Sequence, residues 1–399
     1  MRANSCGVLL VFTLAAACGD DGTSSGGSAS GGGGAASGGA AAGGGETGGG
    51  VASGGAASGG GDAGGTAQGG QGGEGGGAMG AWQPPSYDGY FVDLELPTPS
   101  QPSAGVSFYE NIAYGDDAAM RFDLFQPASA TATPLIIFIH GGGFTGGNKT
   151  SGYDSAGDQA KLANALEAGI AYASINYRLL DEVDSEGVYK SLSDSRRALQ
   201  FIRYHAAELN IDPERIALRG SSAGAGTGLW LAFHDDMAGG DDVVANESTR
   251  VAGVAISATQ STYDLVKWST VVFADYGIDL MTSVAALEME QRLASFYGLP
   301  TISDLEGQLE SPAISEYRHE VDMLDWMSPD DPPFYVSNPL AETIPTSQNE
   351  LFHHPYHARA LRERAAQVGV ACSAEIQALD IDDAPGVNDW EFVIELLSQ

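Results

Sequence analysis

The sequence predicts an α/β fold, a mostly parallel central sheet with helices on both faces. Three observations lead there. Residues 135–139 and 170–175 are continuous apolar runs of strand length, as strands covered on both faces require. Strand-like and helical stretches alternate along most of the chain, the pattern of a parallel sheet with crossover helices. Residues 215–237 read as a short strand, a turn of small residues and a helix in immediate succession.

Taken in order, residues 81–107 are rich in Pro and aromatics and read as an irregular lead-in. Residues 120–125 alternate apolar and polar side chains, as an exposed early strand does. After the two apolar strands, residues 193–209 form a helix with Leu192, Leu199, Ile202, Ala206 and Leu209 along one stripe, and Asp212-Pro213 breaks it. Strands follow at 215–218, 251–257, 334–337 and 373–379, and helices at 223–237, 356–368 and 389–397. Residues 258–330 interrupt the alternation. They carry Tyr263, Trp268, Phe273, Tyr276, Phe296 and Tyr297 and form either a cap beside the site or a peripheral insertion whose aromatics pack.

Composition bounds the rest. Residues 19–80 are almost entirely Gly, Ala and Ser, with nothing apolar to offset the entropy of ordering, so they read as a flexible tether. The folded part is then one large domain, residues 81–399. The net charge of −34 includes five acids and one base before residue 81, which leaves −30 for the domain. That excludes a nucleic-acid footprint and disfavours docking on anionic headgroups. It reads as a solvated acidic surface. Of the three cysteines, Cys6 and Cys18 lie in the leader, so Cys372 is alone in the domain and no disulfide forms within it. The apolar run 8–17 is too short to span a bilayer and reads as a secretory h-region. Leu14-Ala15-Ala16-Ala17-Cys18 resembles a bacterial lipobox, although Ala15 stands where Leu is usual. The expectation is a lipoprotein signal peptide, residues 1–18, and an extracytoplasmic domain tethered to a bacterial membrane by acyl chains on Cys18.

Two motifs carry chemistry. Gly220-Ser221-Ser222-Ala223-Gly224 fits Gly-x-Ser-x-Gly between a strand and a helix, a sharp turn that lifts the Ser222 hydroxyl beside a helix N-terminus. The same pattern at Gly22-Thr23-Ser24-Ser25-Gly26, in the tether, lacks that context. His140-Gly141-Gly142-Gly143 directly follows the 135–139 strand, and its glycines allow Gly142 and Gly143 to aim N–H groups at a developing oxyanion, with Ala223 N–H as a third. His140 organises that loop.

Together these residues resemble the α/β-hydrolase fold-3, or hormone-sensitive-lipase-like, esterases. Asn176-Tyr177-Arg178-Leu179, Asp194 with Arg197-Ala198, and residues 211–216 match that branch's approach to the turn. The resemblance is specific over residues 138–231. It implies the α/β-hydrolase fold with a cap-like insertion and hydrolysis of a small-molecule carboxylic ester through an acyl-enzyme. It implies neither a metal nor an organic cofactor.

The pattern departs from the family at the base. Such a site needs Ser, acid and His in that chain order, with the His after the last strand. The seven histidines are His140, His205, His234, His319, His353, His354 and His357, and the loop expected to hold the base, 380–388, has three acids and no His. His353 and His354 precede the 356–368 helix at the sheet edge where such sites lie, so either is a candidate base, and equally the two are a helix-entry pair without a catalytic role. The resemblance points to Glu342, three residues before Pro345, as the orienting acid; the alternative is an ordinary exposed loop Glu. Two function classes stand: an ester hydrolase with a rearranged or incomplete triad, and an inactive relative that binds a ligand or partner at the cell surface. Neither the substrate nor the oligomeric state is encoded in a readable way.

Cys18 is expected to carry the lipid. Metabolic labelling with a fatty-acid analogue should mark the wild type and spare Cys18→Ser, and equal labelling of the two refutes the anchor.

Overall fold

Strands without a polar face sit where both faces are covered. In a computed structural model, which describes residues 93–181, 184–240, 242–276, 283–285 and 287–399, ten strands form one sheet. The leader, Cys18, the tether and the first residues of the domain lie outside the described residues. The strands are β1 (Ser100–Ser103), β2 (Val106–Ala113), β3 (Arg121–Pro127), β4 (Thr133–Ile139), β5 (Ala171–Ile175), β6 (Ile211–Ser221), β7 (Gly253–Ser257), β8 (Phe334–Asn338), β9 (Cys372–Ile376) and β10 (Ile381–Asp382). Their order is β1-β2-β3-β5-β4-β6-β7-β8-β9-β10. The run β5-β4-β6-β7-β8-β9 is parallel, and the pairs at either end are antiparallel.

Side chains alternate across this sheet and fill two cores. On one face Ile136, Phe138, Tyr172, Ala217, Ala255 and Tyr335 pack with Leu162 and Ala165 of α1 (Ala156–Glu167) and with the C-terminal helix Asp389–Leu397 through Trp390 and Val393. On the other, Leu135, Ile137, Ile139, Leu218, Val254 and Ile256 meet Leu199 and Ile202 of α2 (Tyr189–Tyr204), Leu229 and Trp230 of α3 (Ala223–Phe233), and Leu361 of the helix Pro355–Val368.

Three expectations shift. The lead-in is not wholly irregular: β1 and the start of β2 fall within it. β1 is exposed along its length, so it carries no apolar period to read. The 120–125 strand is buried, because β2 and β5 flank it on both edges and Tyr153 and Lys149 close on its Asp123. The helix expected over 193–209 is Tyr189–Tyr204; beyond it the chain turns back through Leu209 N–H to His205 O (2.9 Å) and Ile211 N–H to Ala206 O (2.8 Å).

The interruption at 258–330 is built from short helices, among them α4 (Glu290–Phe296), α5 (Ile302–Gln308), α6 (Pro312–Glu320) and α7 (Met323–Trp326). Tyr263, Trp268, Phe273, Phe296 and Tyr297 are buried in the main core. Tyr263 Oη donates to Ala223 O (3.0 Å) and Trp230 Nε1 to Glu320 O (2.9 Å), so the insertion braces α3. α4 in turn presents Arg292 and Phe296 to the cavity around Ser222.

Asp123 is fully buried, and Lys149 Nζ (2.9 Å), Tyr153 Oη (2.6 Å) and Asn111 N–H (2.7 Å) all point at it. Lys149 also opens the turn that carries Ser151 to the cavity wall. Removing one partner of a buried pair leaves the other charge uncompensated. Lys149→Met should therefore cost about 3–5 kcal/mol in urea unfolding; a loss under ~1 kcal/mol would mean that water reaches Asp123.

Candidate active site

The turn between β6 and α3 places Ser222 at φ 54°, ψ −125°, a conformation that L residues rarely adopt. Such strain costs of order 1–3 kcal/mol and persists only where the surroundings fix it. Here Ser222 N–H donates to Ser257 O at the end of β7 (3.1 Å), and Ser222 O accepts from Gly226 N–H (3.1 Å). A Cβ on Gly224 would lie 2.0 Å from Ile139 O, so only glycine lets α3 start against the end of β4. The result is a serine hydroxyl at a sheet edge, partly exposed, at the mouth of a helix.

The His140–Gly143 segment lies beside it. A Cβ on Gly141 would fall 3.0 Å from Ser222 Cβ and 2.8 Å from Ser221 O, which measures how closely the loop approaches the turn. Gly142 has φ +114° and Gly143 φ +59°, and among the described residues neither N–H donates to a protein acceptor. Ala223 opens α3, so its N–H has no partner within the helix. His140 is buried, its ring stacked on Tyr177 at 4.3 Å, with Nδ1 2.7 Å from Gly141 O, while Tyr177 Oη donates to His140 O (2.7 Å). Burial lowers its pKa. These contacts tie His140 to the loop and away from Ser222. Arg178, next in that motif, is held by Asp194 at 2.7 Å.

The group facing Ser222 comes from the β8–helix connection. The five-residue helix α8 (Gln348–Phe352) ends at His353, whose Nε2 lies 2.7 Å from Ser222 Oγ. Asn349 Oδ1 lies 2.8 Å from His353 Nδ1. An amide oxygen accepts, so Nδ1 carries the proton and Nε2 is left as an acceptor for the serine O–H. Residues four apart share a helix face, which is why one turn of α8 supplies both groups. Asn338 Nδ2, at the buried end of β8, donates to His353 O (2.9 Å), and Gln260 Nε2 to Phe352 O (2.9 Å), fixing α8 to the sheet. Burial lowers the His353 pKa and the Arg292 charge lowers it further, while hydrogen bonding to the Asn349 backbone pulls it up.

The two expected histidines thus part company. His354 caps the next helix, α9 (Pro355–Val368): its Nδ1 accepts from Tyr356 N–H (3.3 Å), and Nε2 meets Thr343 O at 3.2 Å. Both ring nitrogens are taken, and neither faces Ser222. The expected acid is corrected as well. The exposed Glu342 carboxylate accepts from Tyr356 Oη, at the start of α9, and not from His353. Asn349 stands in the place foreseen for Glu342. A sequence signal existed: Asn349 lies four residues before His353, one helical turn.

Ser222, His353, Asn349, Gly141–Gly143, Ser151, Gln260, Arg292, Phe296 and Phe352 line one cavity of about 630 Å³. Its apolar wall is the stacked pair Phe296–Phe352, 5.9 Å between centroids.

A strained serine after a parallel strand, a glycine loop after the neighbouring strand and a histidine from beyond β8 are the arrangement of an α/β-hydrolase fold. Residues 122–286 match the family model described as BD-FAE. The chain is 34% identical over 116 residues to a probable isoprenylcysteine alpha-carbonyl methylesterase of Arabidopsis thaliana, covering 29% of this chain and 22% of that protein. It is 34% identical over 120 residues to the carboxylesterase NlhH of Mycobacterium tuberculosis, covering 30% and 35%. The chain thus spans about a third or less of the length of these relatives. A solved truncated carbohydrate esterase from gut microbiota aligns at 15% identity with a TM-score of 0.49, over 76% of this chain and all of that one.

Only neutral His353 can accept a proton, and its pKa lies below the ordinary 6.5. The acid limb of kcat/KM should therefore fall below pH 6.5. Asn349→Asp puts a carboxylate on Nδ1, stabilises the imidazolium and should move that limb upward. Asn349→Ala frees the tautomer and should lower kcat/KM at least about tenfold. A pH–rate profile unmoved by Asn349→Asp excludes the contact from the reaction.

Proposed function

We propose that this chain is a carboxylic-ester hydrolase that works through an acyl-enzyme on Ser222. The observation that carries the reading is the 2.7 Å contact between Ser222 Oγ and His353 Nε2 in a cavity that also holds the glycine loop. Ser222 Oγ attacks the ester carbonyl carbon as His353 Nε2 takes its proton. On this reading the carbonyl oxygen gains charge beside the N–H groups of Gly142, Gly143 and Ala223, the proposed oxyanion donors. Collapse breaks the bond to the alcohol oxygen, which takes the proton back from Nε2 and leaves. A water then attacks the acyl carbon, His353 again removes and returns a proton, and the acid departs with Ser222 restored.

The third member sets the character of the site. Asn349 fixes the tautomer but carries no negative charge, so the imidazolium formed in each step is less stabilised than beside a carboxylate. The aromatic wall of Phe296 and Phe352 suits compact acyl groups. Two relatives bear names of esterases, a methylesterase and a carboxylesterase, which agrees in class. The anchor belongs to the same reading: a lipid on Cys18 and a Gly-rich tether would hold the domain outside the cytoplasm with reach around its attachment point.

A second reading rests on that amide. With no acid on His353 and no His after β10, the chain could be an inactive relative that keeps the cleft for a ligand or partner. A fluorophosphonate probe and a p-nitrophenyl ester separate the two. On the hydrolase reading the wild type is labelled, Ser222→Ala is unlabelled and inactive, and His353→Ala loses about three orders of magnitude or more in kcat/KM. His354→Ala should stay within a few-fold of wild type and lose ~1 kcal/mol of stability as a helix cap. An unlabelled, inactive wild type establishes the second reading.

A further inference from the structure

Most buried or half-buried cations of this protein meet an acid. Arg178 meets Asp194, Arg197 meets Asp242, Arg219 meets Asp389 and Arg318 meets Asp264. That is what 52 acidic against 18 basic residues should give. Arg292 departs from it inside the candidate site. Its guanidinium lines the cavity that holds Ser222 and His353, and among the described residues no carboxylate pairs with it. Nη1 donates to Gln348 Oε1 (3.0 Å), Nη2 lies 3.5 Å from Gly143 O, and Cζ stands 5.1 Å from the Phe352 ring centroid. Nε is buried and has no partner. Gln348 is itself tied to Leu287 O through Nε2 (3.2 Å), so the guanidinium is held in a fixed plane by neutral groups.

A half-buried cation satisfied only by an amide, a long carbonyl contact and a ring is under-compensated. The guanidinium fork matches a planar carboxylate with two parallel N–H···O bonds. The protein's own acids have not filled that place, although they outnumber its bases almost threefold. We propose that Arg292 is a specificity residue that selects esters bearing a carboxylate near the scissile bond, on the acyl or the alcohol side. This rests on the hydrolase reading for its turnover, but the binding it asserts does not. The acidic surface repels such substrates at long range. The selection is therefore local to the cavity and falls on KM more than on kcat.

Isosteric ester pairs isolate the carboxylate. Monoethyl succinate and ethyl 4-methylpentanoate differ in the acyl end only by carboxylate against isopropyl, and acetoxyacetate and isobutyl acetate differ in the same way on the alcohol side. Hydrolysis is followed by pH-stat, and the quantity read is the ratio of kcat/KM within each pair, so a partly folded or slowed variant does not distort it. In at least one pair the wild type should favour the carboxylate about tenfold or more. Arg292→Gln should bring that ratio down to about one or below, and Arg292→Lys should keep part of it. A wild-type ratio at or below one in both pairs, or a ratio unchanged in Arg292→Gln, overturns the proposal and leaves the hydrolase reading intact. Calorimetric titration of Ser222→Ala and of Ser222→Ala/Arg292→Gln with monoethyl succinate and acetoxyacetate supplies a readout without turnover. Binding of either ester that weakens at least tenfold without Arg292 supports the proposal even if the wild type hydrolyses nothing. If it hydrolyses nothing and neither affinity depends on Arg292, both readings fall together.

Discussion

The close approach of α3 to the end of β4 is the constraint on which this site depends. With Gly224 less than a side chain's width from Ile139 O, the chain has no room to relax the turn before it, and Ser222 keeps its strained backbone. Everything that could use the serine is arranged around this point. The glycine loop continues from β4, so the strand that forces the turn also delivers the loop that lies beside Ser222. Tyr177 and Tyr263 then lock the two segments from behind, one through His140 O and the other through Ala223 O. The sheet thus stores about as much strain as one or two hydrogen bonds can offset and spends it on orientation.

Much of this was legible in the sequence. The β4 and β5 runs, the turn at Ser222 and the glycine loop are local patterns, and local patterns survive folding because sheet burial and backbone sterics act over a few residues. The alternation of strands and helices gave the parallel core. β1 was not legible, since an exposed edge strand has no apolar period. The extent of α2 was blurred because its N-terminal turn is buried all round and so carries no stripe.

The proposed base and its partner were legible only in part. The absence of a His after β10 pointed to the 353–354 pair, but nothing local decides between two adjacent histidines. Their roles follow from where α8 stops. His353 is its last half-turn and faces the cavity, while His354 begins the next helix and is consumed in capping it. The acid was misplaced for a related reason. Glu342 was chosen by its distance from a proline, whereas the contact that matters is a turn of helix, Asn349 to His353, and an amide was not sought where a carboxylate is customary. The under-compensated Arg292 bears on the same point: a cation in the cavity favours a neutral ring, against the pull of the hydrogen bond to Asn349.

Placing the proposed base and its orienting group within one five-residue helix and its C-cap has a thermodynamic corollary. In a site assembled from separate loops, each contact is held by its own segment and frays independently. Here a single local opening of α8 withdraws both groups at once, and so short a helix has little stability apart from the anchors at Asn338 and Gln260. The working population of the site is then governed by that opening equilibrium rather than by the stability of the domain. Heat or mild denaturant would silence the chemistry while the sheet and its two cores remained folded.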